Sequence, residues 1–267
     1  MLISSKQINL FQSIFKGRED VYAVRWEKND RSGYMPAYDV DWDRYEKHKA
    51  LGGTFQNFRH KTLAPFTPKV VENHLLGKKT VGIYPLLKNN TSWFLAADFD
   101  KEHWMDESCR FIHACKQKNI PAYLERSRSG NGGHVWIFFQ KPYPAWKSRK
   151  IAFRLLRDAG ILSDFDKNAS FDRLFPNQDS HSHSGKGFGN LIALPLNKKW
   201  MSAGNTCFID PESGEAFDDQ WSFLESIQKI TPAELDQIYH SFHHDASTSS
   251  KTSSPSGESI EITIRNQ

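Results

Sequence analysis

Two rhythms of apolar and polar positions run along this chain. The opening, MLISSKQINLFQSIFKGRED, spaces its apolar residues for one helix face and predicts a short amphipathic helix ending near Gly17. Val21 to Trp26 (VYAVRW) predicts a strand. Residues 48–62 lose both periods and read as an exposed loop. Pro68 to Leu76 predicts a helix closed by Gly77 as its C′ residue, and Val81 to Leu87 a further strand.

The centre of the chain is the most legible part. Trp93 to Asp100 (WFLAADFD) is an apolar strand whose end turns acidic. Trp104, Ser108, Phe111, Ile112 and Cys115 then fall near helical spacing, so residues 101–118 predict a helix packed back on the sheet. Ile120 to Arg126 predicts a second strand, SRSGNGG a glycine-rich connection, and His134 to Phe139 a third strand. Strand, helix, strand, turn, strand is the pattern of an α/β sandwich with a hairpin, as in RNA-recognition-motif-like folds. A helix from Ala145 to Ala159 presents Ile151, Leu155, Leu156 and Ala159 on one side, with Gly160 ending it. Residues 163–189 read as a long functional loop, and Asn190 to Leu196 as a buried strand. Thr231-Pro232-Ala233-Glu234 is a capping box with proline at the first helical position, opening a helix through Phe242. A serine-rich linker (245–257) and the short segment Ile260 to Ile264 follow, and no internal repeat is visible.

Composition narrows the class. At 267 residues the chain exceeds the usual size of one domain, which implies one large domain or two interlocked modules. Hydrophobic residues at 38% and aromatics at 13% exclude a chain disordered throughout. No apolar run is long enough to span a membrane, and no signal-peptide pattern opens the sequence. Three cysteines without a CxxC pair argue against a disulfide framework or a four-cysteine zinc site, so the expected setting is the cytoplasm. A net charge of +4 and a pI of 8.8 permit a nucleic-acid partner without demonstrating one.

The chemistry concentrates in three places. Asp98 and Asp100 stand two apart at a strand end, so both carboxylates point the same way. Such a pair repels unless a cation neutralises it, and Mg²⁺ or Mn²⁺ is the hard oxygen-seeking solution. The stretch Arg126 to His134 supplies guanidinium forks and small residues for phosphate: Arg126, Arg128 and Ser129 are candidates, with His134 opening the next strand. Phe171-Asp172 offers a third carboxylate, Asp179 an alternative to it, and Lys186 a cation for phosphate or template. Three carboxylates holding two ions suit in-line nucleotidyl transfer. Cys109 and His113 share a helix face but read as packing residues, and His181 and His183 as solvated loop positions.

Taken in order, DxD (Asp98, Asp100), SGNGGH (His134) and Phe171-Asp172 resemble the three-motif signature of the archaeo-eukaryotic primase, or primase-polymerase, superfamily. The wording is closest to the primase domain of TOTE conflict systems, through FKGREDVYAVRW, GIYPLL, FLAADFDKEHW, ERSRSGNGGHVWIFF, FDRLFPNQD and GFGNLIALPLN, from about Leu10 to Ile227. The resemblance implies an α+β archaeo-eukaryotic primase fold. In it, an N-terminal α/β module (1–90) packs on an RRM-like catalytic module (91–244), the active site between them and a serine-rich flexible tail beyond (245–267). It implies a template-dependent nucleotidyltransferase, a DNA primase and/or polymerase. Asp98, Asp100 and Asp172 would hold divalent metal, and His134 would contact the nucleotide's phosphates. Arg126, Arg128, Ser129 and Lys186 would contact nucleotide or template. Its partners would be single-stranded DNA template and primer, nucleoside triphosphates, and a helicase or nuclease module of the same system. Two departures stand out. Where relatives often carry a cysteine-rich insertion, this chain reads KALGGTFQNFRHKTLAPF, so no structural zinc is expected. Where the second motif is usually Ser-x-His, Gly132 occupies the serine position, with Ser129 as a candidate substitute. A metal-dependent phosphodiesterase or nuclease, and a non-catalytic single-strand-binding module, are the alternative classes.

Overall fold

The computed structural model describes residues 3–162, 170–181 and 187–249. In chain order the elements are α1 (Ser5–Ile14), β1 (Ala23–Lys28), β2 (Arg31–Pro36), β3 (Tyr38–Val40), α2 (Trp42–Ala50), β4 (Lys61–Leu63), α3 (Pro68–Leu75) and β5 (Val81–Ile83). They continue with β6 (Thr91–Asp100), α4 (Trp104–Gln117), β7 (Tyr123–Arg126), β8 (Gly132–Pro144), α5 (Ala145–Asp158) and β9 (Phe171–Phe175). The last are β10 (Ile192–Ala193), α6 (Lys198–Met201), α7 (Gln220–Ser226) and α8 (Pro232–Ser249). Among these helices none is long and apolar enough to cross a membrane.

One antiparallel sheet, in the order β7-β8-β6-β9, is covered on both faces. Leu95, Ala97, Phe99, Val135 and Ile137 point to one side, against Phe111 and Cys115 of α4 and Ile151, Leu155 and Leu156 of α5. Phe94, Ala96, Trp136 and Phe138 point to the other, against Phe11 and Phe15 of α1 and Val81 and Ile83 of β5. Burial on both faces is why β6 reads as a nearly continuous apolar run. A second sheet, β10-β5-β1-β2, forms around the first strands of the chain, and β3 pairs with β4 alone. β10 lies late in the sequence yet pairs with β5, closing the edge of the sheet built by the first ninety residues.

The helices predicted in the opening segment, at 68–76, over 101–118 and at 145–159 form as Ser5–Ile14, Pro68–Leu75, Trp104–Gln117 and Ala145–Asp158. The capping box predicted at Thr231/Glu234 closes; a second box, Ser4/Gln7, opens α1. Several expectations are corrected. The loop expected at 48–62 is present over 51–60, but its first residues belong to α2, a helix not foreseen, and its last to β4. WDRYEKHKA buries no residue, so it shows no apolar period; Asp41 caps it, and Lys47, His48 and Lys49 complement its C-terminal dipole. The region read as loop (163–189) contains β9, and the strand expected at 190–196 shrinks to two residues. The last helix runs past Phe242 to Ser249, into the segment read as linker. Ile260 to Ile264 lie outside the described residues.

His74 couples α3 to β5 and the chain near β10. It is fully buried: its Nε2–H donates to the Pro195 carbonyl (2.8 Å), and Nδ1 accepts from the Val81 amide (3.1 Å). Protonating Nδ1 would set two donors face to face. Burial pushes the imidazole down from 6.5 to about 4, even though its hydrogen bonding to the Pro195 and Leu194 backbone pulls the other way. The unfolded chain therefore takes up a proton at a pH where the folded chain does not, and stability falls as pH drops from 6.5 towards 4. By linkage the loss approaches about 3 kcal/mol at the lower end. Urea unfolding at pH 7 and pH 4.5 should show this loss in wild type and a flatter profile in His74→Gln; parallel profiles would disprove it.

Candidate active site

Asp98 and Asp100 lie on the face of β6 that carries Phe94 and Ala96. Strand alternation alone places them there. Asp172 reaches the same face only through an irregularity in β9. Phe171 pairs with Phe99 and Arg173 with Asp98, so Asp172 has no partner on β6 and is the extra residue of a β-bulge. In regular register it would share a side with Leu174, which is buried against α4 and α5. The bulge instead turns it outward, and one oxygen from each of Asp98, Asp100 and Asp172 lies within 4.8 Å of the others.

The bulge is held from behind by Glu107 of α4. This carboxylate is 3% exposed and accepts hydrogen bonds from the Ser170 amide (3.0 Å), the Ser170 hydroxyl (2.7 Å) and the Phe171 amide (3.3 Å). The Asp100 amide in turn donates to the Ser170 carbonyl (2.8 Å). The start of β9 is thus fixed against both the helix and the strand that supplies the other acids.

His134 is the cross-strand neighbour of Asp98 on β8, with Nε2 3.5 Å from Asp98 Oδ1. Its Nδ1–H donates to Glu125 Oε2 at 2.5 Å, and the Trp136 indole N–H donates to the same oxygen at 3.3 Å. Glu125 is 2% exposed. Burial opposes the charged imidazole, but Glu125, with Asp98 and Asp100, outweighs it and raises His134 from 6.5 to about 9. At Asp98, burial first, then Asp100 and Asp172, push the carboxyl up from 3.8 to about 6, against the pull of His134 and Arg173. Arg173 donates from Nε to Asp172 Oδ2 at 2.5 Å. The acids are only partly offset by an imidazolium and a guanidinium, and Asp98 holds its proton unusually tightly. A donor set of hard oxygens with that much surplus charge suits a divalent cation.

Gly132 explains the missing serine. A Cβ at this position would lie 2.4 Å from Asp100 Oδ1 and 2.6 Å from the Phe99 carbonyl oxygen, so no side chain fits beside Asp100. Ser129 sits in the turn, where its hydroxyl meets that of Ser127 (3.1 Å) and accepts from the Asn131 amide (3.3 Å). Arg126 donates to the Gly214 carbonyl (2.7 Å) and braces the following chain. The Arg128 guanidinium lies over the Trp200 ring (5.3 Å). Asp179 pairs with Arg149 at 2.9 Å, so of the two candidates for third carboxylate it is Asp172 that joins the pair. His181 bonds the Leu87 carbonyl, while Lys186 and His183 lie outside the described residues. Among the described residues no other His, Cys, Asp or Glu cluster could hold a metal.

Reading the sequence missed Glu125 and Glu107. A charged residue inside the strand YLER, on the strand paired with that of His134, was the available signal for the first. Glu107 gave none, because its partner segment is sixty residues away.

Residues 6–238 match the archaeo-eukaryotic primase domain of TOTE conflict systems. The chain belongs to that family. Membership establishes the α+β primase fold and supports nucleotidyl transfer as the class of activity. Comparison with curated proteins gives no match. Among solved structures, the polymerase domain of Mycobacterium tuberculosis ligase D, in complex with DNA, is similar over 89% of this chain and 85% of its own. The identity is 11% and the TM-score 0.41.

Proposed function

We propose that this chain is a template-dependent DNA primase or polymerase, joining nucleoside triphosphates on a single-stranded DNA template. The observation that carries the reading is the bulge at Asp172, which completes a set of three carboxylates on one face of the sheet. Asp98, Asp100 and Asp172 would hold Mg²⁺ or Mn²⁺. Bound there, the ions would lower the pKa of the attacking hydroxyl and neutralise the pyrophosphate leaving group.

The chain's own side chains do the rest. Glu125 holds the His134 ring with Nε2 toward the carboxylates, where an imidazolium N–H donates to the phosphates of an incoming nucleotide. Arg173, paired with Asp172 and half exposed, supplies a further cation at the rim. Arg128 and Lys186 are assigned to nucleotide or template contact. Arg126, committed to the Gly214 carbonyl, acts by bracing the chain at the end of β7. The acids face the side on which the sheet of the first ninety residues packs, so the substrate cleft is read as lying between the two sheets.

The test supplies single-stranded DNA, with and without an annealed primer, and either ribo- or deoxyribonucleoside triphosphates in Mg²⁺ or Mn²⁺. Nucleotide-dependent strand growth that stops in EDTA is expected. Shortening of the strand without nucleotides would instead mark a phosphodiesterase. Absence of both, with binding indifferent to metal, would mark a binding module.

A further inference from the structure

Residues 38–63 leave the second sheet as an excursion that contributes little to any core. Phe58 is its only buried residue, and α2 buries none. Yet the excursion is ordered in detail around the Phe58 ring, which packs against Tyr45 (5.2 Å), His48 (5.4 Å) and His60 (5.8 Å). His48 Nε2–H donates to Asn57 Oδ1 (2.8 Å), an oxygen that also accepts from the Thr54 amide. His60 Nδ1 accepts from the Arg44 guanidinium (3.1 Å). The bonds fix both imidazoles beside a groove of about 410 Å³, lined by Arg44, Lys47, His48, Asn57, Phe58, Arg59 and His60.

The charge on this groove is of one sign. At 100° per residue, Arg44, Lys47 and His48 share one side of α2; Glu46 lies opposite, and Asp43, one turn before Lys47, borders that side without lining the groove. Of the two other acids in the excursion, Asp41 is engaged by Arg44 Nε at 3.2 Å and Asp39 stands on β3, outside the groove lining. Lys47 and Arg59 are exposed and take part in no ion pair or side-chain hydrogen bond among the described residues. Two uncommitted cations, beside the free Nε2–H of His60 and with no carboxylate in the groove lining, are complementary to a run of phosphates.

We propose that this groove binds the phosphate backbone of single-stranded DNA, outside the carboxylate centre, an assignment that rests on the reading of the chain as an enzyme of DNA templates. It requires no metal and none of the residues of that centre. The strand is held as a polyanion, so binding is indifferent to base sequence and steeply dependent on salt.

The experiment measures fluorescence anisotropy of labelled oligo(dT) with the full chain in EDTA across a salt series. Lys47→Glu/Arg59→Glu is compared with wild type and with Lys141→Glu/Lys150→Glu, a control of equal charge change away from the groove. The groove variant is expected to bind at least about tenfold more weakly and to lose about 1.4 from the slope of log K against log salt. This is about 0.7 for each of two phosphate contacts. The control should keep most of the affinity and the full slope. Equal losses in both variants, or none in the groove variant, overturn the assignment, as does displacement of the strand by poly-glutamate as readily as by unlabelled oligo(dT). Primer extension by wild type is read in parallel. Extension together with unaltered binding by the groove variant removes only the groove. Groove-dependent binding by a protein that extends nothing keeps the groove and removes nucleotidyl transfer. A wild type that neither binds nor extends removes both.

Discussion

Asp98→Ala/Asp100→Ala protein is expected to incorporate no nucleotide, a fall of at least about 10³-fold, while remaining folded. The two side chains end a strand whose burial comes from Leu95, Ala97 and Phe99 on one face and Phe94 and Ala96 on the other, so the fold does not need them. A milder variant gives an effect of opposite sign on stability. The Asp98 carboxyl is raised to about 6 in the folded protein, against an ordinary 3.8. The folded state therefore holds this proton to higher pH than the unfolded chain does. The resulting cost builds up as pH rises from 3.8 through 6, and is complete above that. Without metal at pH 7.5, Asp98→Asn should lose activity yet gain about 2–3 kcal/mol of unfolding free energy. Urea titration in EDTA, paired with primer extension, checks both. Incorporation by the double alanine variant at wild-type rate would refute the site.

The second large effect is expected at Glu125. Its carboxylate is buried and bonded to the His134 imidazole, so Glu125→Gln leaves a buried cation without its counter-charge. Removing one partner of such a pair costs about 3–5 kcal/mol, part of which the ring recovers by giving up its proton. The neutral ring then presents a weaker donor to phosphate. The Michaelis constant for the nucleotide should rise at least about tenfold, well beyond any change in kcat. In the double variant Glu125→Gln/His134→Gln the second substitution should add little, because both act through the same Nε2–H. A Glu125→Gln enzyme with an unchanged nucleotide constant, or strictly additive losses, would show that the glutamate only fills space.

What the sequence made legible follows the range of the forces involved. Helical periodicity, the Gly77 stop after α3, and the capping box with its proline at Thr231–Glu234 depend on neighbours a few residues apart, and those elements form where the pattern placed them. Asp98 and Asp100 were readable as a pair because strand alternation is itself local. α2 escaped because it has no apolar face to betray it, and β9 because its strand pairing depends on β6, some seventy residues earlier. The closure of the site was decided by tertiary structure. Asp172 faces the other acids only because a bulge inserts it between two paired residues, and that bulge depends on a glutamate from a distant helix. The same holds for Glu125, whose role exists only once β7 lies beside β8. Sequence by itself determined which residue types were available and on which side of their own element they would point. Which of them meet was decided by strand pairing and burial, because a carboxylate's environment is set by whatever packs against it and not by its neighbours in the chain.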